Sequence, residues 1–119
     1  MSNNSILKEK SYCFALRIIK LYKFLKSEKQ ETVLSKQIVR SGTSIGANIE
    51  EAIGAQSEKD FLSKICIAYK ECRETEYWLR LLKDSEFIEE KHFESIHNDC
   101  VELLKMLSSS KKTMSNKLK

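Results

Sequence analysis

The chain has 119 residues and a mass of 13.8 kDa, enough for one domain with a modest core and no second one. It holds no proline and three glycines, and no Asn-Gly or Asp-Gly corner occurs, which excludes a hairpin-rich all-β fold. A hydrophobic fraction of 41% argues against disorder, and the net charge of +4 conceals a partition of +5 over 1–29, −6 over 30–104 and +5 over 105–119.

The first helical segment runs roughly from Ser5 to Ser27, with Leu7, Phe14, Ile18, Leu21 and Leu25 on one face. Tyr12, Leu16 and Ile19 make a second stripe about 120° away, and a single core cannot use both. The polar run Ser27–Thr32 is the first connection, with Thr32 as N-cap and Ser35 as the alternative. A second helix over Val33–Ala55 then carries Leu34, Ile38, Ile45, Ile49, Ala52 and Ile53 inward. Its other side is crowded with small residues from Ser41 to Ala47, including Gly42 and Gly46, which suits close backbone packing within the bundle or between subunits.

Ser57-Glu-Lys-Asp60 resembles a capping box and opens a third helix reaching Lys83 or Asp84. Phe61, Ile65, Ala68, Cys72, Leu79 and Leu82 form its core face, and a second stripe runs from Ile67 through Glu71, Glu74 and Trp78 to Leu81. Phe87 and Ile88 lie in the next connection, and a fourth helix over Glu90–Ser109 buries Phe93, Ile96, Cys100, Leu103, Leu104 and Leu107. The expected architecture is all-α: an up-down-up-down antiparallel four-helix bundle over residues 5–109, followed by a basic flexible tail over 110–119.

Cys13, Cys66, Cys72 and Cys100 form no CxxC pair, and the plain reading is reduced core thiols. The stretch Met1–Ser5 lacks the pattern of a secretory leader, and charged residues break every apolar run before about 18 residues. A cytoplasmic protein that does not span a membrane is expected.

The stretch Arg40-Ser-Gly-Thr-Ser-Ile-Gly-Ala-Asn-Ile-Glu-Glu-Ala52 resembles the central motif of a bacterial family of four-helix bundle proteins, first noticed as reading frames within intervening sequences of large-subunit ribosomal RNA genes. Ile67-Ala-Tyr-Lys-Glu-Cys-Arg-Glu-Thr-Glu-Tyr-Trp-Leu79 is similar to its second motif, and the resemblance extends from Ile6 to Leu107. It implies a protomer that assembles as a ring, commonly a homopentamer, without established enzymatic activity. The chain also resembles the accessory proteins of diversity-generating retroelements, similar pentamers that associate with a reverse transcriptase and nucleic acid. The surplus apolar stripes are what a closed ring would bury, with Tyr12, Leu16, Ile19, Gly42, Gly46 and Trp78 as the expected interface.

Three functional readings remain. Lys8, Lys10, Arg17, Lys20, Lys23 and Lys26 on the first helix, with Lys105, Lys111 and Lys112 near the other end, are candidate contacts to RNA or DNA phosphates. In a bundle where helices one and four are neighbours, the two segments are expected to merge into one positive surface. The alternative is a structural or protein-interaction module without nucleic acid, its lysines serving solubility. The third reading is a carboxylate-based metal site. It draws on Glu71 and Glu74, three apart on one helix side, yet a salt-bridge network with Arg40, Asn48 and Glu51 is the plainer account. Glu89-x-x-His92 and Glu94-x-x-His97 have the spacing of di-iron bundles but share one helix, whereas those sites draw on several. No catalytic residue, cofactor or metal ligand is therefore assigned.

Overall fold

A computed structural model describes residues 3–119; Met1 and Ser2, the first two residues of the stretch without a leader pattern, lie outside the described residues. Four helices follow one another: α1 (Asn3–Lys29), α2 (Leu34–Ile53), α3 (Glu58–Asp84) and α4 (Glu90–Lys117). Among the described residues there is no strand.

Contacts between the helices fix their directions. Along α1, Lys8 meets Glu50 of α2, while further on Ile18 meets Gly42. Arg40 of α2 reaches Glu74 and Glu51 reaches Lys64; Glu58 of α3 meets Lys117 and Glu76 meets His97. Lys10 pairs with Glu102 and Arg17 with Asp99. In each pair one number rises as the other falls, so every neighbouring pair is antiparallel, in an elongated bundle of 47 × 24 × 21 Å.

The expected core stripe of α1 is buried throughout, and Ile38, Ile45 and Ile49 of α2 complete it with Ile65, Leu79, Ile96 and Leu103 from the other helices. Burial of one such side chain is worth about 1.5–3 kcal/mol. Ile53 departs from expectation: it is exposed at the last residue of α2, beside the buried Ala52. Ser41 and Thr75 are buried in the α2–α3 interface with their hydroxyl oxygens 2.8 Å apart, each satisfying the other's polarity.

The ends of the helices explain how a chain without proline makes its turns. Gln30 adopts a left-handed φ of 50°, after which the Glu31 N–H reaches the Leu25 carbonyl at 2.9 Å. After α3, Glu86 takes a φ of 65°, the Glu86 N–H donates to Lys83, and the Phe87 N–H donates to Leu82. That is a Schellman closure made without glycine. Neither Thr32 nor Ser35 caps α2 as expected. The Glu31 carboxylate does so, accepting from the N–H groups of Val33, Leu34 and Ser35, because three open donors at a helix start attract a full negative charge more strongly than a hydroxyl. Ser57 does cap α3, its hydroxyl accepting from the Asp60 N–H at 3.0 Å.

The largest difference lies in residues 110–119. The expected break after Ser109 does not occur, and α4 continues to Lys117. Lys111 and Met114 prolong the inward spacing of Leu107, with Lys111 over the Tyr69 ring and Lys117 paired with Glu58, so tertiary contacts extend a helix whose sequence alone looks irregular.

Candidate nucleic-acid interface

The basic residues of α1 do not form one free surface. Lys8 pairs with Glu50 at 3.7 Å, and Lys10 with Glu102, whose hydrogen bond and charge hold the lysine above its ordinary pKa. Arg17 bonds the Asp99 carboxylate at 2.7 Å together with the Ser95 carbonyl and hydroxyl, tying α1 to α4. Lys20, Lys23 and Lys26 have no carboxylate partner among the described residues, and Lys26 lies over the Tyr22 ring. Antiparallel α1 and α4 place these three beside the start of α4, about 30 Å from Lys111 and Lys112. The expected merger of the two basic segments is thus corrected: carboxylates of α4 sit between them.

Lys105, Lys111 and Lys112 occupy a different setting. An open groove of about 490 Å³ between α3 and α4 is lined by Tyr69, Arg73, Val101, Lys105, Ser108 and Lys112. Lys111 lies 4.3 Å over the Tyr69 ring, and an Arg73 nitrogen sits 3.4 Å from the Tyr69 hydroxyl. Among the described residues, no carboxylate pairs with Arg73, Lys105, Lys111 or Lys112. Three cations lining the groove with serine hydroxyls, and Lys111 over its tyrosine ring, make a site suited to phosphate oxygens. Tyr69 and Arg73 are the members that sequence reading missed. They stand four apart, inside the stretch Ile67–Leu79, and that spacing marks one helix face, but only packing decides that the face borders α4.

The acidic candidates divide. Arg40 bridges Glu71, at 3.4 Å, and Glu74, while the Trp78 indole N–H donates to the same Glu74 carboxylate at 3.1 Å. Among the described residues Asn48 bonds to Ser44 on its own helix, and Glu51 pairs with Lys64, so the expected single network divides into three separate contacts. Both glutamates are engaged by an arginine rather than by each other. Among the described residues, no group of three or more His, Cys, Asp or Glu is placed to hold a metal ion. His97 turns away from Glu94 to Glu76 of α3 at 2.9 Å. Burial opposes ionisation of Glu76, but hydrogen bonds from His97 and Arg80 outweigh it and hold the carboxyl below its ordinary value.

The outer stripe of α1 is available: Tyr12 is 64% and Leu16 48% exposed, and Ile19 and Trp78 are half-buried. The two glycines are corrected. A Cβ on Gly42 would meet two Ile18 carbons at 2.8 Å, and one on Gly46 would face Ser11 at 3.5 Å, so both serve the α1–α2 contact rather than an outer surface. No described helix is long and apolar enough to cross a membrane.

Comparison with known proteins gives a consistent picture. None of the curated proteins matches the chain. A solved structure at 1.70 Å, a protein of unknown function from the S23 ribosomal protein family of Bacteroides thetaiotaomicron, is 55% identical, with a TM-score of 0.91 over 93% of this chain and 99% of its own. The family model described as 23S rRNA-intervening sequence protein matches residues 3–109, which cover α1 to α3 and most of α4. With two motif-bearing helices packed in the four-helix arrangement of that relative, the chain belongs to the 23S rRNA-intervening sequence protein family.

Proposed function

We propose that this protein is a non-enzymatic cytoplasmic scaffold that assembles as a ring, in the manner of a homopentamer, and holds RNA, DNA or a ribonucleoprotein against the α3–α4 groove. The observation that carries the reading is the groove itself, which Arg73, Lys105 and Lys112 line beside Tyr69 while Lys111 lies over its ring, none of the four with a carboxylate partner among the described residues. A ring repeats that groove around an axis, so that individually weak phosphate contacts add by avidity. The exposed Tyr12 and Leu16, with Ile19 and Trp78, supply the subunit contact in this reading. A relative whose family bears a ribosomal name favours an RNA-containing partner.

Light scattering of the purified chain, followed by gel retardation of mixed RNA and DNA across a salt series, tests both halves. The expected result is an oligomer at micromolar concentration and retardation that weakens steeply with salt. A monomer defeats the ring, and no retardation at low salt by the assembled protein defeats the nucleic-acid role. A pull-down dominated by one protein and insensitive to nuclease would favour a protein-interaction module instead.

A further inference from the structure

Cys72 of α3 and Cys100 of α4 face one another in the core, both fully buried, with their sulfurs 3.9 Å apart. Each sulfur also lies against the other residue's carbonyl oxygen, at 3.5 and 3.6 Å. The side chains therefore cross between two close backbones rather than meeting end to end. Ala68, one turn earlier on α3 and also buried, keeps this part of the interface thin. A disulfide requires a sulfur separation of about 2 Å, so the two sulfurs, now 3.9 Å apart, must close the remainder by rotation about χ1. Cys13, by contrast, is exposed and has no thiol partner among the described residues.

We propose that Cys72 and Cys100 are a redox pair that closes to an intramolecular disulfide and staples α3 to α4 beneath the groove. The oxidant is a small hydroperoxide. One cysteine sulfur attacks its terminal oxygen, the O–O bond breaks, and a sulfenic acid forms with release of water or an alcohol. The second sulfur then displaces the sulfenic oxygen, which leaves as water, and the S–S bond forms. Two thiols lose two electrons and two protons, the peroxide gains them, and a dithiol reductant reverses the change. The hydrogen bond from Cys72 and burial push the Cys100 thiol far above the usual thiol range, so that sulfur stays protonated and weakly nucleophilic until peroxide enters or the helices part. This inference stands apart from the nucleic-acid reading and survives its failure.

The test uses the full chain carrying Cys13→Ser and Cys66→Ser, which leaves one thiol pair, with the unaltered protein as a check on folding. Reduced protein is treated with excess hydrogen peroxide under native conditions, quenched, denatured and exposed to N-ethylmaleimide. Expected are an intact mass lower by about 2 Da, no maleimide adduct, one tryptic species joining the Cys72 and Cys100 peptides, and full reversal by dithiothreitol. The oxidised form should melt about 5 °C higher, because the link closes a loop between residues 28 apart in sequence. Two maleimide adducts after treatment would overturn the proposal, as would oxygen addition to the separate sulfurs or a disulfide that lowers the melting temperature. In the unaltered protein the same peptide pair should appear, and its absence there counts equally against the idea.

Discussion

The α1 side and the α3–α4 side of this bundle carry similar numbers of basic groups and use them differently. On α1, Lys8, Lys10 and Arg17 are spent on carboxylates of α2 and α4. Between α3 and α4, Arg73, Lys105 and Lys112 line a groove beside Tyr69, with Lys111 over its ring, and among the described residues none of them pairs with an acid. Counting lysines therefore misjudges both places, because the free charge that attracts a polyanion is what remains after internal pairing.

The strongest way to break this contrast is to reverse charge on each side. Arg73→Glu with Lys112→Glu should weaken retardation of RNA or DNA about tenfold or more at low salt and flatten its salt dependence. Lys8→Glu with Lys10→Glu should change it by no more than roughly twofold, since those lysines already face acids. Equal losses from the two variants would erase the distinction.

A second test asks whether the α1 side is closed by packing as tightly as the structure has it. Gly42→Val forces carbon into the space held by Ile18, which is fully buried and has nowhere to move. Denaturant unfolding should show a loss of about 1–3 kcal/mol. Gly46→Ala has ordinary contact distance to Ser11 and should be near neutral or slightly stabilising, so equal losses at the two positions would contradict the geometry.

The smallest effect concerns the Glu76–His97 contact in the α3–α4 seam. Glu76 has a folded pKa below its ordinary value of 4.5, so the unfolded chain binds its proton first as pH falls. The stability it contributes is present above that ordinary value and is lost as pH falls through the folded pKa. Glu76→Gln should therefore lower the melting temperature at neutral pH, with the difference from the unaltered chain shrinking below about pH 4.5. A difference that stays constant over pH 3–7 would show that the carboxylate's charge is not what matters.

Much of the fold was legible before the structure. The three- and four-residue spacing of Leu7, Phe14, Ile18, Leu21 and Leu25 describes a helix face without reference to any other part of the chain, and all five are buried. The site was less legible. Lys105, Lys111 and Lys112 were visible as a basic segment, but Tyr69 and Arg73 joined them only once α3 lay beside α4. The end of α4 was misjudged for a related reason: Lys111 and Met114 continue the face of Leu107 weakly, and it takes Tyr69 and Glu58 on a neighbouring helix to hold that turn.

The scarcity of glycine marks the boundary between the two kinds of knowledge. By itself the sequence determined four helices, their inward stripes and the capping of α3 by Ser57, because each depends on residues a few positions apart. Only the tertiary structure decided that Gln30 and Glu86 would make the left-handed turns while Gly42 made room for Ile18. It also decided which lysines would be neutralised and that Cys72 would meet Cys100. Those outcomes depend on partners distant in the chain, and no local spacing encodes which helix face will arrive opposite another.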